Sequence, residues 1–108
     1  MSESNEGPDL STLTKVDRLV HEPARLAVMA LLYVVDSADF TFIMNQTGLT
    51  WGNLSAHLSK LEEAGYVLVE KSFVGRRPNT NLRLSEAGRA AFREYRVSMK
   101  GALDNLPE

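Results

Sequence analysis

The sequence predicts one mainly helical domain that closes with a β-hairpin and a last helix, on three observations. From Leu13 to Val20 and from Leu54 to Leu61 the apolar residues recur at helical spacing, on either side of a continuous apolar run over Leu26–Val35, with capping residues and glycines at the boundaries. From Tyr66 to Leu84 the pattern changes to the β-branched, alternating texture of strands. The chain has 108 residues, 44% of them apolar and 24% charged, the size and composition of a single soluble domain with its own core.

Each element follows from local chemistry. Residues 1–11 have few large apolar groups and a Gly7-Pro8 pair, and read as a flexible tail; the domain spans 12–104. Leu13, Val16, Leu19 and Val20 are spaced as a short first helix. Pro23 suits the first turn of a second helix, about Glu22 to Val35, apolar nearly all round and therefore expected at the centre of the core. Asp36-Ser37-Ala38-Asp39 ends it, and a minimal strand is expected near Phe40. Thr41 is placed to cap a short helix that Gly48 stops. Thr50 is placed to cap the next, Trp51 to Ala64, which carries a single stripe of Leu54, Leu58 and Leu61 and stops at Gly65. Two capped helices around a glycine turn make a helix-turn-helix. Tyr66–Val74 and Thr80–Leu84 then read as two strands joined by a turn over Gly75-Arg76-Arg77-Pro78-Asn79. Ser85 caps a last helix, Glu86 to Leu103. A helix-turn-helix followed by a hairpin is a winged helix-turn-helix, in the order α-α-(short β)-α-α-β-β-α.

Composition excludes several functions. With no cysteine, disulfides, thiolate catalysis and Cys-based metal sites are absent, and no cofactor is called for. The longest apolar run, Leu26–Val35, is about half of what a membrane span needs, and the polar, acidic start is not a signal peptide. No nucleophile is paired with a base and no glycine-rich phosphate loop is present, so an enzyme is not expected. Ser55 and His57, two apart on a helix, do not face each other.

The net charge of −2 conceals an asymmetry. Residues 1–56 carry seven acidic and three basic side chains, whereas residues 57–100 carry five acidic and nine basic. From Lys71 to Arg83 there are four cations and no acid. Such a distribution points to a polyanionic partner.

Two groups of residues could meet that partner. On the helix from Trp51 to Ala64, removing the leucine stripe leaves Asn53, Ser55, Ala56, His57, Ser59 and Lys60, small and amide groups able to approach base edges in a major groove. The plain alternative is a solvated helix face. At the hairpin, Arg76 and Arg77 project from a turn that Gly75 permits and Pro78 stiffens, suited to phosphate or a narrow minor groove, with Lys71 and Arg83 in support. Trp51 reads either as a sugar-phosphate contact or as a lid on the core, and His21 as structural.

The run Leu49-Thr50-Trp51-Gly52-Asn53-Leu54-Ser55-Ala56-His57-Leu58-Ser59-Lys60-Leu61-Glu62-Glu63-Ala64-Gly65-Tyr66-Val67 resembles the recognition helix and first wing strand of ArsR/MarR-type winged-helix regulators. The stretches Lys71 to Thr80 and Leu84 to Gly88 are similar to a small single-domain family close to them. The resemblance runs from about Val16 to Arg96 and implies a cytoplasmic, homodimeric, DNA-binding transcriptional regulator. Metal-sensing members commonly use cysteines, which this chain lacks.

A dimer has a physical rationale as well, since one helix and one wing contact only a few base pairs. Leu13, Val97, Met99 and Leu103 have no obvious place in a three-helix core and are expected at the two-fold interface. The expected function is homodimeric reading of a pseudo-palindromic site in double-stranded DNA, with helix 51–64 in the major groove and the wing at 75–79 on backbone or minor groove. The rival is a winged helix that binds protein rather than DNA. The sequence does not identify an operator or an effector.

Overall fold

The computed structural model describes Gly7 and residues 9–107, so the tail expected over 1–11 lies mostly outside the described residues. A 3₁₀ helix, Ser11–Lys15, leads to α1 (Pro23–Val34), β1 (Ala38–Asp39), α2 (Phe40–Thr47) and α3 (Trp51–Glu63). β2 (Val67–Val74), β3 (Arg77–Leu84) and α4 (Glu86–Asp104) complete the chain. The order is that of a winged helix, mainly helical with a three-stranded antiparallel sheet ordered β1-β3-β2.

The first helix expected over Leu13–Val20 does not form. Asp17 diverts the backbone by accepting the Leu19 amide at 2.9 Å. Val16 is extended, and a turn follows, closed by the His21 amide on the Asp17 carbonyl at 2.8 Å. Val20 is nevertheless fully buried, and Val16 and Leu19 pack against the core.

α1 packs against α2, α3, α4 and β3, as its apolar composition predicts. It is not surrounded, however: Val28, Met29 and Leu32 are buried, while Val34 is 81% exposed. Glu22 caps α1, its carboxylate accepting the Arg25 amide at 2.8 Å.

α2 is capped by Asp39 rather than by Thr41. Asp39 ends β1 in an extended conformation, which is what an N-cap requires, and accepts the Phe42 amide at 2.7 Å. Gly48 closes α2 at φ 74°. Thr50 caps α3 through the Asn53 amide at 3.2 Å. Leu54, Leu58 and Leu61 are buried as one stripe, each burial contributing about 1.5–3 kcal/mol.

The hairpin is longer and tighter than its sequence suggests. The turn is only Gly75-Arg76, with Gly75 at φ 66° in the first turn position. Arg77, Pro78 and Asn79 already belong to β3, opposite Val74, Phe73 and Ser72. Pro78 is tolerated because β1 reaches only Leu82 and Asn81, leaving β3 without a neighbour on that side at the tip.

Along α4, Gly88, Phe92, Tyr95 and Ala102 are buried and Met99 packs on the same core. The premise that Met99 lacks a place in the core is therefore corrected: it continues that inward stripe at helical spacing. Leu13 is half-buried in the 3₁₀ helix, which lies along α4. Val97 and Leu103 stay exposed, at 73% and 51%.

Candidate nucleic-acid interface

The leucine stripe fixes which side of α3 faces out. At 100° per residue, Gly52, Ala56, Ser59 and Glu63 fall opposite Leu54, Leu58 and Leu61, and all four are exposed. Three of these four are small, so another molecule can approach the backbone closely. Gly52 is not required by packing, because a Cβ there would meet nothing within 4 Å. Asn53 and Lys60 are exposed along one flank of this line.

The other flank borders an open groove of about 730 Å³ between α3 and the hairpin. Trp51, Ser55, Ser59 and Glu62 line it from α3, and Lys71, Arg77, Asn79 and Thr80 from the strands. Trp51 is 66% exposed, with its ring tilted against Phe40 at 5.7 Å between centroids, so it is a groove wall rather than a lid on the core. The groove is of mixed charge, since Glu62 and Asp39 both line it; Asp39 is engaged as the cap of α2.

Two residues grouped with the site by sequence stand apart from it. His57 is half-buried and turns toward α1, where Arg25 Nη1 donates to its Nδ1 at 3.2 Å and Glu22 Oε1 lies 3.9 Å away. Arg25 Nε also donates to the Leu19 carbonyl at 2.7 Å, so this cluster fastens α3 to α1 and to the segment before it. The Glu22 carboxyl is held below its ordinary value first by the hydrogen bond from the Arg25 amide, against the opposing effect of burial. Arg83 lies opposite Leu68 and Lys71 opposite Thr80; being an odd number of pairs apart, they point to opposite faces of the sheet. Arg83 borders a separate hollow with Asp36, Glu86 and Arg89.

Of the expected residues, the groove brings together Ser55 and Ser59 of α3 with Lys71 and Arg77 of the hairpin, while Asn53, Ala56 and Lys60 are exposed elsewhere on α3 and Arg76 is exposed in the turn. Sequence reasoning left out Asn79 and Thr80, which read as turn and strand, and the tip residues Phe73 and Val74, whose apolar character reads as ordinary strand. The signal that could have found them is length: eight-residue strands outreach the helix that packs on them.

Residues 24–103 match the family model described as winged helix DNA-binding domain. The chain belongs to this winged helix family. An uncharacterized protein of Methanocaldococcus jannaschii is 36% identical over 78 residues, covering 72% of this chain and 85% of that protein. The structure of a transcriptional regulator homologue from Pyrococcus horikoshii OT3 superposes with a TM-score of 0.84 at 28% identity, over 91% of this chain and 99% of that one. MarR of E. coli in its apo form shares the fold, with a TM-score of 0.63 at 17% identity over 90% and 81% of the two chains. This winged helix is thus a DNA-binding domain of the type found in transcriptional regulators, with α2 and α3 as its helix-turn-helix and β2–β3 as its wing. No helix among the described residues is long and apolar enough to cross a membrane.

Proposed function

We propose that the protein regulates transcription as a homodimer that reads a pseudo-palindromic site in double-stranded DNA. In this reading α3 enters the major groove, with Asn53, Ser55, Ala56, Ser59 and Lys60 at or near base edges. The wing meets phosphate or the minor groove through Arg76 and Arg77, and Lys71 supports it. The observation that carries the reading is the small-residue outer face of α3 bordering the same groove as Lys71 and Arg77, which belong to the acid-free stretch from Lys71 to Arg83. A helix needs that bareness to sit deep in a groove, and the arginines supply the sequence-independent attraction.

Dimerisation rests on Val97 and Leu103, exposed apolar groups on the last helix, and on the need to enlarge a small footprint. Half-sites about 34–36 Å apart would then be read by the two copies of α3. Selection of bound fragments from random duplex, together with light scattering on the eluting protein, tests both points. Recovery of an inverted repeat by a dimer is the expected result. A monomer at micromolar concentration contradicts the dimer, and a pool without enrichment contradicts sequence reading and favours a protein-binding winged helix.

A further inference from the structure

The tip of the wing carries more apolar surface than a solvated turn requires. Phe73 is 71% exposed and Val74 is 65% exposed, and every residue from 70 to 78 is exposed. Phe73 stands across the ladder from Pro78, and Val74 across from Arg77. β2 is also an outer strand of the sheet. Outer strands are usually protected by charge at such positions, and here an aromatic ring is presented instead.

We infer that Phe73 is a wedge, which enters the minor groove with the wing tip and partly unstacks one base step, kinking the duplex. The inference rests on the DNA-binding reading and goes beyond it. Three features favour DNA as the occupant. Lys71 lies two pairs from Phe73 on the same face of the hairpin, Arg76 sits in the turn and Arg77 is on the opposite face, all within a stretch free of acid that is complementary to the phosphate walls of a groove. A two-residue turn makes the tip as narrow as two strands, about 4.8 Å apart. An apolar side chain flanked by arginines is the chemistry by which proteins wedge apart base steps from the minor groove. A pocket on a protein partner would accept Phe73 without needing three cations on the same hairpin.

The test compares wild type, Phe73→Ser and Phe73→Leu on a selected duplex of about 30 base pairs labelled at both ends for energy transfer. Because Phe73 is exposed, both variants are expected to fold, which thermal unfolding checks. Wild type and Phe73→Leu should shorten the end-to-end distance, corresponding to a bend of about 20–90°. Phe73→Ser should bind within about tenfold of wild type, with the same salt slope because the arginines remain, yet leave the duplex straight. A wild-type complex that stays straight, or a bend and affinity unchanged in Phe73→Ser as a protein-docking role would give, overturns the wedge and leaves DNA binding intact. Failure of the wild type to bind any duplex overturns both.

Discussion

The Tyr66 hydroxyl donates to Asp17 Oδ2 at 2.5 Å, tying the irregular segment before α1 to the junction of α3 and β2. The hydrogen bond, followed by burial and the Asp17 charge, pushes the phenol pKa up to about 12 from an ordinary 10.0. A group raised in the folded state contributes stability that is complete below its unfolded pKa and lost as pH climbs through the folded one. Wild type is therefore expected to lose stability between about pH 10 and 12, more steeply than Tyr66→Phe, which should itself be weaker by about 1 kcal/mol at neutral pH. Urea unfolding across that range checks both; identical alkaline profiles would contradict the assignment.

Gly88 abuts the other side of the same residue. A Cβ at position 88 would overlap the Tyr66 carbonyl oxygen, which already accepts the Ser85 amide at 3.0 Å. Helix propensity alone favours alanine over glycine by about 1 kcal/mol. Gly88→Ala is nonetheless expected to destabilise by about 2 kcal/mol or more, because backbone rather than a flexible side chain must move. Gly101→Ala, on the same helix and in open space, should be neutral or stabilising. Thermal unfolding of the pair separates the close approach from propensity.

His57 and Asn53 should part company on mutation although they are neighbours on α3. His57→Ala removes the acceptor for Arg25 and is expected to lower stability by about 1 kcal/mol while leaving sequence preference unchanged. Asn53→Ala should leave the melting temperature in place and change which bases are selected, since its side chain is exposed on the outer flank. Selection with both variants, beside their melting curves, gives the comparison.

Ala56 sits on the outermost line of α3. Ala56→Leu is expected to keep the fold and weaken binding to a selected duplex more than tenfold, because about 3 Å of added side chain would hold the helix out of the groove. Unchanged affinity would mean that this face does not approach DNA.

How far the sequence was legible follows from which signals were local. Thr50, Ser85, Gly48 and Gly65 act as read because capping and left-handed φ depend on one or two residues. The leucine stripe of α3 likewise follows from spacing alone. The first helix failed because its apolar spacing was right but Asp17 had a partner, Tyr66, 49 residues away. Asp39 caps α2 from an extended position that depends on pairing of β1 with β3, a long-range relationship that local spacing does not carry. At the site, the exposed faces were legible from periodicity, but His57 was drawn inward by Arg25 and Glu22, and Arg83 was separated from Lys71 by strand alternation.

The central claim is that α3 and the wing form a DNA interface, and its most direct test is titration of mixed-sequence duplex over a range of salt, with wild type and Arg76→Ala/Arg77→Ala. Wild type should bind with an affinity that falls as salt rises, at a slope set by a few phosphate contacts, and the double variant should flatten that slope by up to about two units per protomer. Equal affinity and slope for both proteins, or no salt-dependent binding by the wild type, would contradict the account.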